Sequence, residues 1–290
     1  MPASPTLRAA LWMIGAILSF SSMAVAGRAV SFELDTFELL LYRSLIGIVI
    51  VVVAAKMTGT LAQINTGQPA THLIRNICHF IGQNLWYFAL TAIPLAQVFA
   101  LEFTSPLWVI ALSPLLLGER LTKVRVLAGV LGFVGILIVA RPTAETLEWG
   151  MVAAALSAIF FAGTAIFTKK LTRTTTLTNI MFWLVAMQAV FGVICAGYDG
   201  DIQAPSAITI PWLVLIGIGG LLAHVCITKA LTIAPASTVM PFDFARLPLI
   251  AIIGALFYNE PLEALVFLGA AIIFAANYLN IRSAQNPNTN

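Results

Sequence analysis

The chain has 290 residues, of which 60% are apolar and 9% charged, with a mean hydropathy of +0.97. Soluble domains carry roughly 25% charged residues, so a water-solvated globular fold is excluded. The net charge of +3 follows from the sidedness of loops described below and gives no reason to invoke nucleic acid.

Apolar runs recur along the whole length, each about 20 residues and therefore long enough to cross a hydrocarbon core as a helix. Taken in order, the spans fall at about 10–31, 37–56, 72–91, 95–117, 123–140, 149–168, 177–197, 209–231, 236–257 and 263–281. A membrane β-barrel would need short alternating segments instead, so the fold expected is an all-α polytopic membrane protein. The first span, with Arg8 before it and Ala24-Val25-Ala26 near its end, has the look of a signal peptide. Its apolar run is longer than such a leader needs, and losing it would leave the first half one helix short. It is read as a retained span.

Loop charges orient the spans. With the N-terminus inside, one side collects Arg8, Lys56, Arg75, Arg120, Lys123, Arg125, Lys169, Lys170, Arg173, Lys229 and Arg282, while the other keeps Arg28 and Arg141. The richer side is the cytoplasmic one, which places both termini in the cytoplasm of a multi-pass inner-membrane protein. The outer loops carry Glu33, Asp35, Glu145, Glu148, Asp199 and Asp201.

The chain is also written twice. Residues 89–141 align without gaps onto 230–282 at a shift of 141, matching Pro94 with Pro235, Phe103 with Phe244, Glu119 with Glu260 and Arg141 with Arg282. An acid inside an apolar run recurs at one place, Glu102 and Asp243. Duplication of this kind fixes architecture before any single residue does. It gives a first five-helix repeat over 1–145, a second over 146–282, and a polar tail over 283–290, expected to be disordered. An odd number of spans per repeat inserts the second half upside down, as in many secondary transporters.

Enzyme signatures are missing. There is no phosphate loop, no H-E-x-x-H and no G-x-S-x-G. A membrane-embedded enzyme or a non-transporting membrane protein therefore stays only as the different-class alternative. Cys78, Cys195 and Cys226 lack metal-ligand spacing, and no metal or cofactor is expected.

What remains is a set of polar groups at membrane depth, where a charged residue costs roughly 2.5–3.5 kcal/mol and must find a partner or water. Asp243 and Arg246 lie three residues apart on one helix face. They read either as a mutual ion pair or as a charged patch meeting the substrate. Glu102 has no basic residue one turn away; its neighbours on that face are Val98, Ser105 and Pro106. It reads as a proton-coupling carboxyl or as a structural hydrogen bond to the third helix. The third span carries Arg75, His79, Gln83 and Tyr87 at four-residue spacing, with Asn84 beside them, and Gln83 aligns with His224 of the other half. Arg75 is read as an end-of-helix anchor, and His79, Gln83, Asn84 and His224 as a shared cavity lining, to which Trp86 and other aromatics could add a stacking surface. Arg43 has two readings, a pair with Glu38 or an extended reach to the membrane surface. Gly129, Gly132 and Gly135 of the fifth span, with Gly269, Ala270 and Ala276 of the tenth, make small-residue faces for scaffold packing or a homodimer.

Arg43 in LLLYRSLIG, the junction ALTAIPLAQVFALEFTSP, Gly118-Glu119, the glycines of GVLGFVG and Arg141-Pro142 together resemble the ten-helix EamA-type branch of the drug/metabolite transporter superfamily. The resemblance covers about residues 10–282. It implies a secondary transporter of small organic metabolites, working by alternating access, with a central cavity lined by the first, third, fourth, sixth, eighth and ninth helices. FELLLYR and HLIRN look most like an uptake-type subgroup that includes riboflavin and S-adenosylmethionine carriers. Export of amino acids or related metabolites is the alternative.

Overall fold

The computed structural model describes residues 4–30, 33–93, 95–140, 149–198, 200–258 and 264–285. Pro94, Arg141, Pro142, Glu145, Glu148, Asp199, Asn259, Glu260 and the tail beyond 285 lie outside that set, as does the side chain of Arg28. Among the described residues all regular structure is helical. The helices are α1 (Pro5–Val30), α2 (Thr36–Met57), α3 (Pro69–Ala92), α4 (Leu95–Glu102), α5 (Ser105–Leu117), α6 (Lys123–Ala140), α7 (Trp149–Leu171), α8 (Leu177–Ala196), α9 (Ile210–Ile233), α10 (Ala236–Val239), α11 (Arg246–Tyr258) and α12 (Ala264–Gln285). Ten spans result, because the fourth and the ninth are each broken. α4 and α5 make the fourth, and α10, a 3₁₀ stretch at Met240–Ala245 and α11 make the ninth. Among the described residues six stretches, the broken ninth span included, are long and apolar enough to cross a membrane by length and composition. α3 is equally long, but its polar stripe dilutes its hydropathy.

The breaks have a local cause. Pro106 sits at the start of α5 and lacks the amide that would bond to the carbonyl of Glu102. Pro241 opens the 3₁₀ stretch of the ninth span. The 141-residue register carries Ser105, the first residue of α5, onto Arg246, the first residue of α11. The two halves therefore interrupt their helices at equivalent places, next to equivalent acids.

Packing follows the same symmetry. The most extensive helix pairs are α1 with α9, α3 with α7, α6 with α12 and α2 with α8. Shifting by one repeat turns α1·α9 into α7·α3 and maps each of the other two pairs onto itself, as expected for two inverted five-helix halves. Every one of these pairs joins the two halves, so the core forms only when both are present. The small-residue faces of the fifth and tenth spans meet each other: a Cβ at Gly135 would lie 2.9 Å from the Gly269 carbonyl and 2.7 Å from Ile273. These glycines are spent on packing within the protomer. Large apolar side chains such as Leu11, Val49, Leu115 and Phe257 face outward, as a lipid-facing surface requires.

Short polar ties close the two ends. Asp35 caps α2 in a capping box with Glu38. The other Glu38 oxygen accepts from the Gln203 amide at 2.6 Å, so Glu38 does not pair with Arg43. At the opposite end Gly118 ends α5 with φ +66°, a turn that favours glycine. The turn aims Glu119 at the start of the ninth span, where it accepts from the amides of Ala236 at 2.8 Å and Ser237 at 3.1 Å.

Candidate functional site

A central cavity of about 80 Å³ lies between the halves. It is bounded by Phe20 and Met23 of α1, His79, Gln83 and Trp86 of α3, and Glu102, Ser105 and Pro106 at the first break. Phe161, Thr164 and Thr168 of α7, His224 of α9, and Asp243 and Arg246 at the second break complete the wall. These are the first, third, fourth, sixth, eighth and ninth spans.

The two helix breaks bring one charged cluster together. Arg246 donates to Asp243 at 3.0 Å and to Glu102 across the repeat boundary. The Trp86 indole donates to the second oxygen of Glu102 at 2.6 Å. The guanidinium also lies 4.9 Å from the centroid of the Phe103 ring, 5.2 Å from Phe20 and 5.4 Å from Phe99, close enough for cation–π attraction. The ion-pair reading of Asp243 and Arg246 and the hydrogen-bond reading of Glu102 are the ones the geometry realises. Asp243 and Arg246 pair with each other, and Glu102 does bond to the third helix. What the sequence did not reveal is that Arg246 is the basic partner of Glu102, contributed by the other half. Two carboxylates share one guanidinium, so the ionised cluster carries net negative charge inside a membrane. Asp243 Oδ1, Arg246 Nε and Ser105 Oγ have no partner in the buried wall, leaving hydrogen-bonding capacity for a ligand.

A second polar cluster lines the same cavity. The rings of His79 and His224 meet edge to face at 4.5 Å. The Gln83 amide is assigned with its oxygen toward the donor-only guanidinium of Arg43, which leaves its nitrogen donating to His79 Nε2 at 3.1 Å. His79 then carries its proton on Nδ1, an unpartnered buried donor. Arg43 is buried between Gln83 and Gly220, where a Cβ would come within 2.7 Å of the guanidinium. It turns inward and neither snorkels nor meets Glu38.

Two further expectations are corrected. Asn84 is not on the cavity wall; it accepts from Thr36 at 2.9 Å and donates to the Phe80 carbonyl at 2.8 Å, tying α3 to the start of α2. Arg75 is no interfacial anchor: it is fully buried and donates to Thr168 of α7 at 2.8 Å. The sequence missed Thr168 and Phe161, whose only signal was the α7 face that α3 covers.

Ten membrane helices in two opposed halves, closed around a polar and aromatic cavity at paired helix breaks, define a membrane carrier of small solutes. The chain belongs to the EamA-like transporter family, whose model matches residues 7–141 and 148–282. It is 34% identical over 272 residues to the riboflavin transporter of Vibrio cholerae, covering 92% of this chain and 90% of that one. It is 26% identical to an S-adenosylmethionine uptake transporter of Rickettsia bellii, covering 94% and 93%. A solved crystal structure shares the fold with a TM-score of 0.79 at 19% identity, covering 96% of this chain and 97% of that one. The protein is a multi-pass membrane transporter of small metabolites.

Proposed function

We propose that the protein is a secondary carrier that brings riboflavin, or a solute with a similarly flat heteroaromatic ring, across the inner membrane by alternating access. Both termini are cytoplasmic, in line with the charge bias of the loops. The observation that carries the substrate is the pairing of ring surfaces with neutral hydrogen-bonding groups on one cavity wall. Phe20, Phe161 and Trp86 stand beside His79, Gln83 and His224, a set that suits a planar ring with donors and acceptors on its edge. The relative from Vibrio cholerae supports the same substrate. Glu102 couples transport to protonation, because a cluster of two acids and one arginine is relieved of its excess charge by one proton. No chemical conversion of the solute is part of this function.

Complementation tests the reading. A bacterium unable to make or import riboflavin should grow on low external riboflavin when it expresses this chain, and the W86A variant should grow more slowly at equal expression. Absence of growth with the wild-type chain in the membrane overturns the substrate assignment.

A further inference from the structure

Three arginines are buried in the bundle, and only Arg246 has carboxylate partners among the described residues. Arg75 is the most deeply buried, with no exposed surface. Its Nε donates to Thr168 Oγ1 at 2.8 Å and its Nη1 to Asn76 Oδ1 at 3.1 Å, both neutral acceptors. Its Nη2 has no partner. Gln188 of α8 donates to the Asn76 carbonyl at 2.9 Å and fixes that side of the network. His72, on the same face of α3, is 1% exposed, and neither ring nitrogen has a partner. Thr168 lines the cavity, so the hydroxyl that Arg75 holds belongs to a residue of the cavity wall.

A guanidinium taken out of water and met only by neutral groups stays costly, since the interior repays the loss only through an opposite charge or a complete set of hydrogen bonds. An unused N–H on the cation and an unused imidazole nitrogen one turn away are complementary to an oxyanion. We propose that Arg75 and His72 form an oxyanion-accepting subsite at the end of the cavity nearer the α2–α3 connection, reached past Thr168, for a carboxylate or phosphate group. The anion is either part of the transported solute or a separate small ion bound beside it. The subsite stands on this geometry and does not depend on the flavin assignment.

The test uses the purified full-length protein in detergent at constant ionic strength, with inorganic phosphate, riboflavin and riboflavin 5′-phosphate as probes. Phosphate should raise the thermal midpoint of the wild type saturably over chloride controls. R75Q should weaken this response about tenfold or more, as loss of a charge-assisted contact implies. R75K, which keeps the charge, should retain part of it. H72A should weaken it severalfold while leaving Arg75 in place, and serves if R75Q does not assemble. A preference for riboflavin 5′-phosphate that disappears in R75Q assigns the anion to the cargo. Equal binding of both flavins, with phosphate binding alongside, assigns it to a separate ion. No saturable response to phosphate or to the phosphorylated flavin in the wild type overturns the subsite. So does a response unchanged in R75Q, or one unchanged in H72A. The phosphate arm contains no flavin, so its failure is distinct from failure of the riboflavin reading.

Discussion

Arg246 is where the two halves of the protein meet at the scale of single residues. Its guanidinium binds Asp243 on its own span and Glu102 on the other half, so its position matters as well as its charge. Exchanging the partners, D243R with R246D, would preserve an i,i+3 pair but move the cation away from Glu102. The exchanged variant should therefore lose transport about as fully as R246A, whose stability cost is of the order of 3–5 kcal/mol for leaving buried charges unpaired; uptake and thermal unfolding measure the two effects. Recovery of wild-type uptake by the exchange would show that Glu102 has no need of Arg246. Glu102→Gln keeps a hydrogen-bonding side chain while removing the titrating group. It should bind substrate and support exchange, yet lose acceleration by an imposed proton gradient across proteoliposomes. Wild-type flux that ignores such a gradient would return Glu102 to a purely structural role. From sequence, the acids and Arg246 were visible because charge in an apolar run is rare. Arg75 and Arg43 were misread because a basic residue in the outer third of a span looks the same whether it snorkels or turns inward. The deciding groups, Thr168 and Gly220, lie on other helices.

At the scale of elements, capping and close packing decide what can move. Glu119 holds the two leading amides of the ninth span, and in the sequence the 141-residue register matches it with Glu260. Replacing Glu119 by Ala should cost about 0.5–2 kcal/mol, the usual loss of a cap. Hydrogen exchange over residues 236–245 should quicken, while exchange in α2 stays unchanged. The α6–α12 contact is the rigid counterpart. Gly135→Leu places side chain where the Gly269 carbonyl and Ile273 stand, and overpacking of this kind costs about 1–3 kcal/mol. A lower thermal midpoint is expected. The connection before α9 is tied to Glu33, which accepts from Ser206 Oγ at 2.8 Å and from Thr209. Hydrogen bonds from Thr209 and then Ser206 hold the Glu33 carboxyl below its ordinary 4.5. A depressed carboxyl stabilises its folded contact fully above the unfolded value and loses that contribution as pH falls through the folded one. Proteolysis of the 200–209 connection should therefore stay slow from neutrality to 4.5 and quicken only at lower pH.

For the whole molecule, the internal repeat carries most of the argument. The gapless register announced two equivalent halves, and the structure places the helix breaks of the fourth and ninth spans at equivalent residues and exchanges α1·α9 with α7·α3. Pro106 and Pro241 stand at the breaks, but a proline in a sequence does not tell a kink from a separation into two helices. Which faces the halves present to each other was not legible either, because apolar residues surround most of these helices and periodicity then marks no single buried face. That is why Asn84 was grouped with the cavity, although it points to α2. Two halves joined by every major helix pair, around a site built from both, give the geometry an alternating-access carrier needs. Counterflow is the most direct measurement of that claim. Proteoliposomes containing only this purified chain, preloaded with unlabelled riboflavin, should accumulate labelled riboflavin transiently above its external concentration without ATP. Uptake no faster than in protein-free liposomes, with the reconstituted protein folded and riboflavin present on both sides, would contradict it.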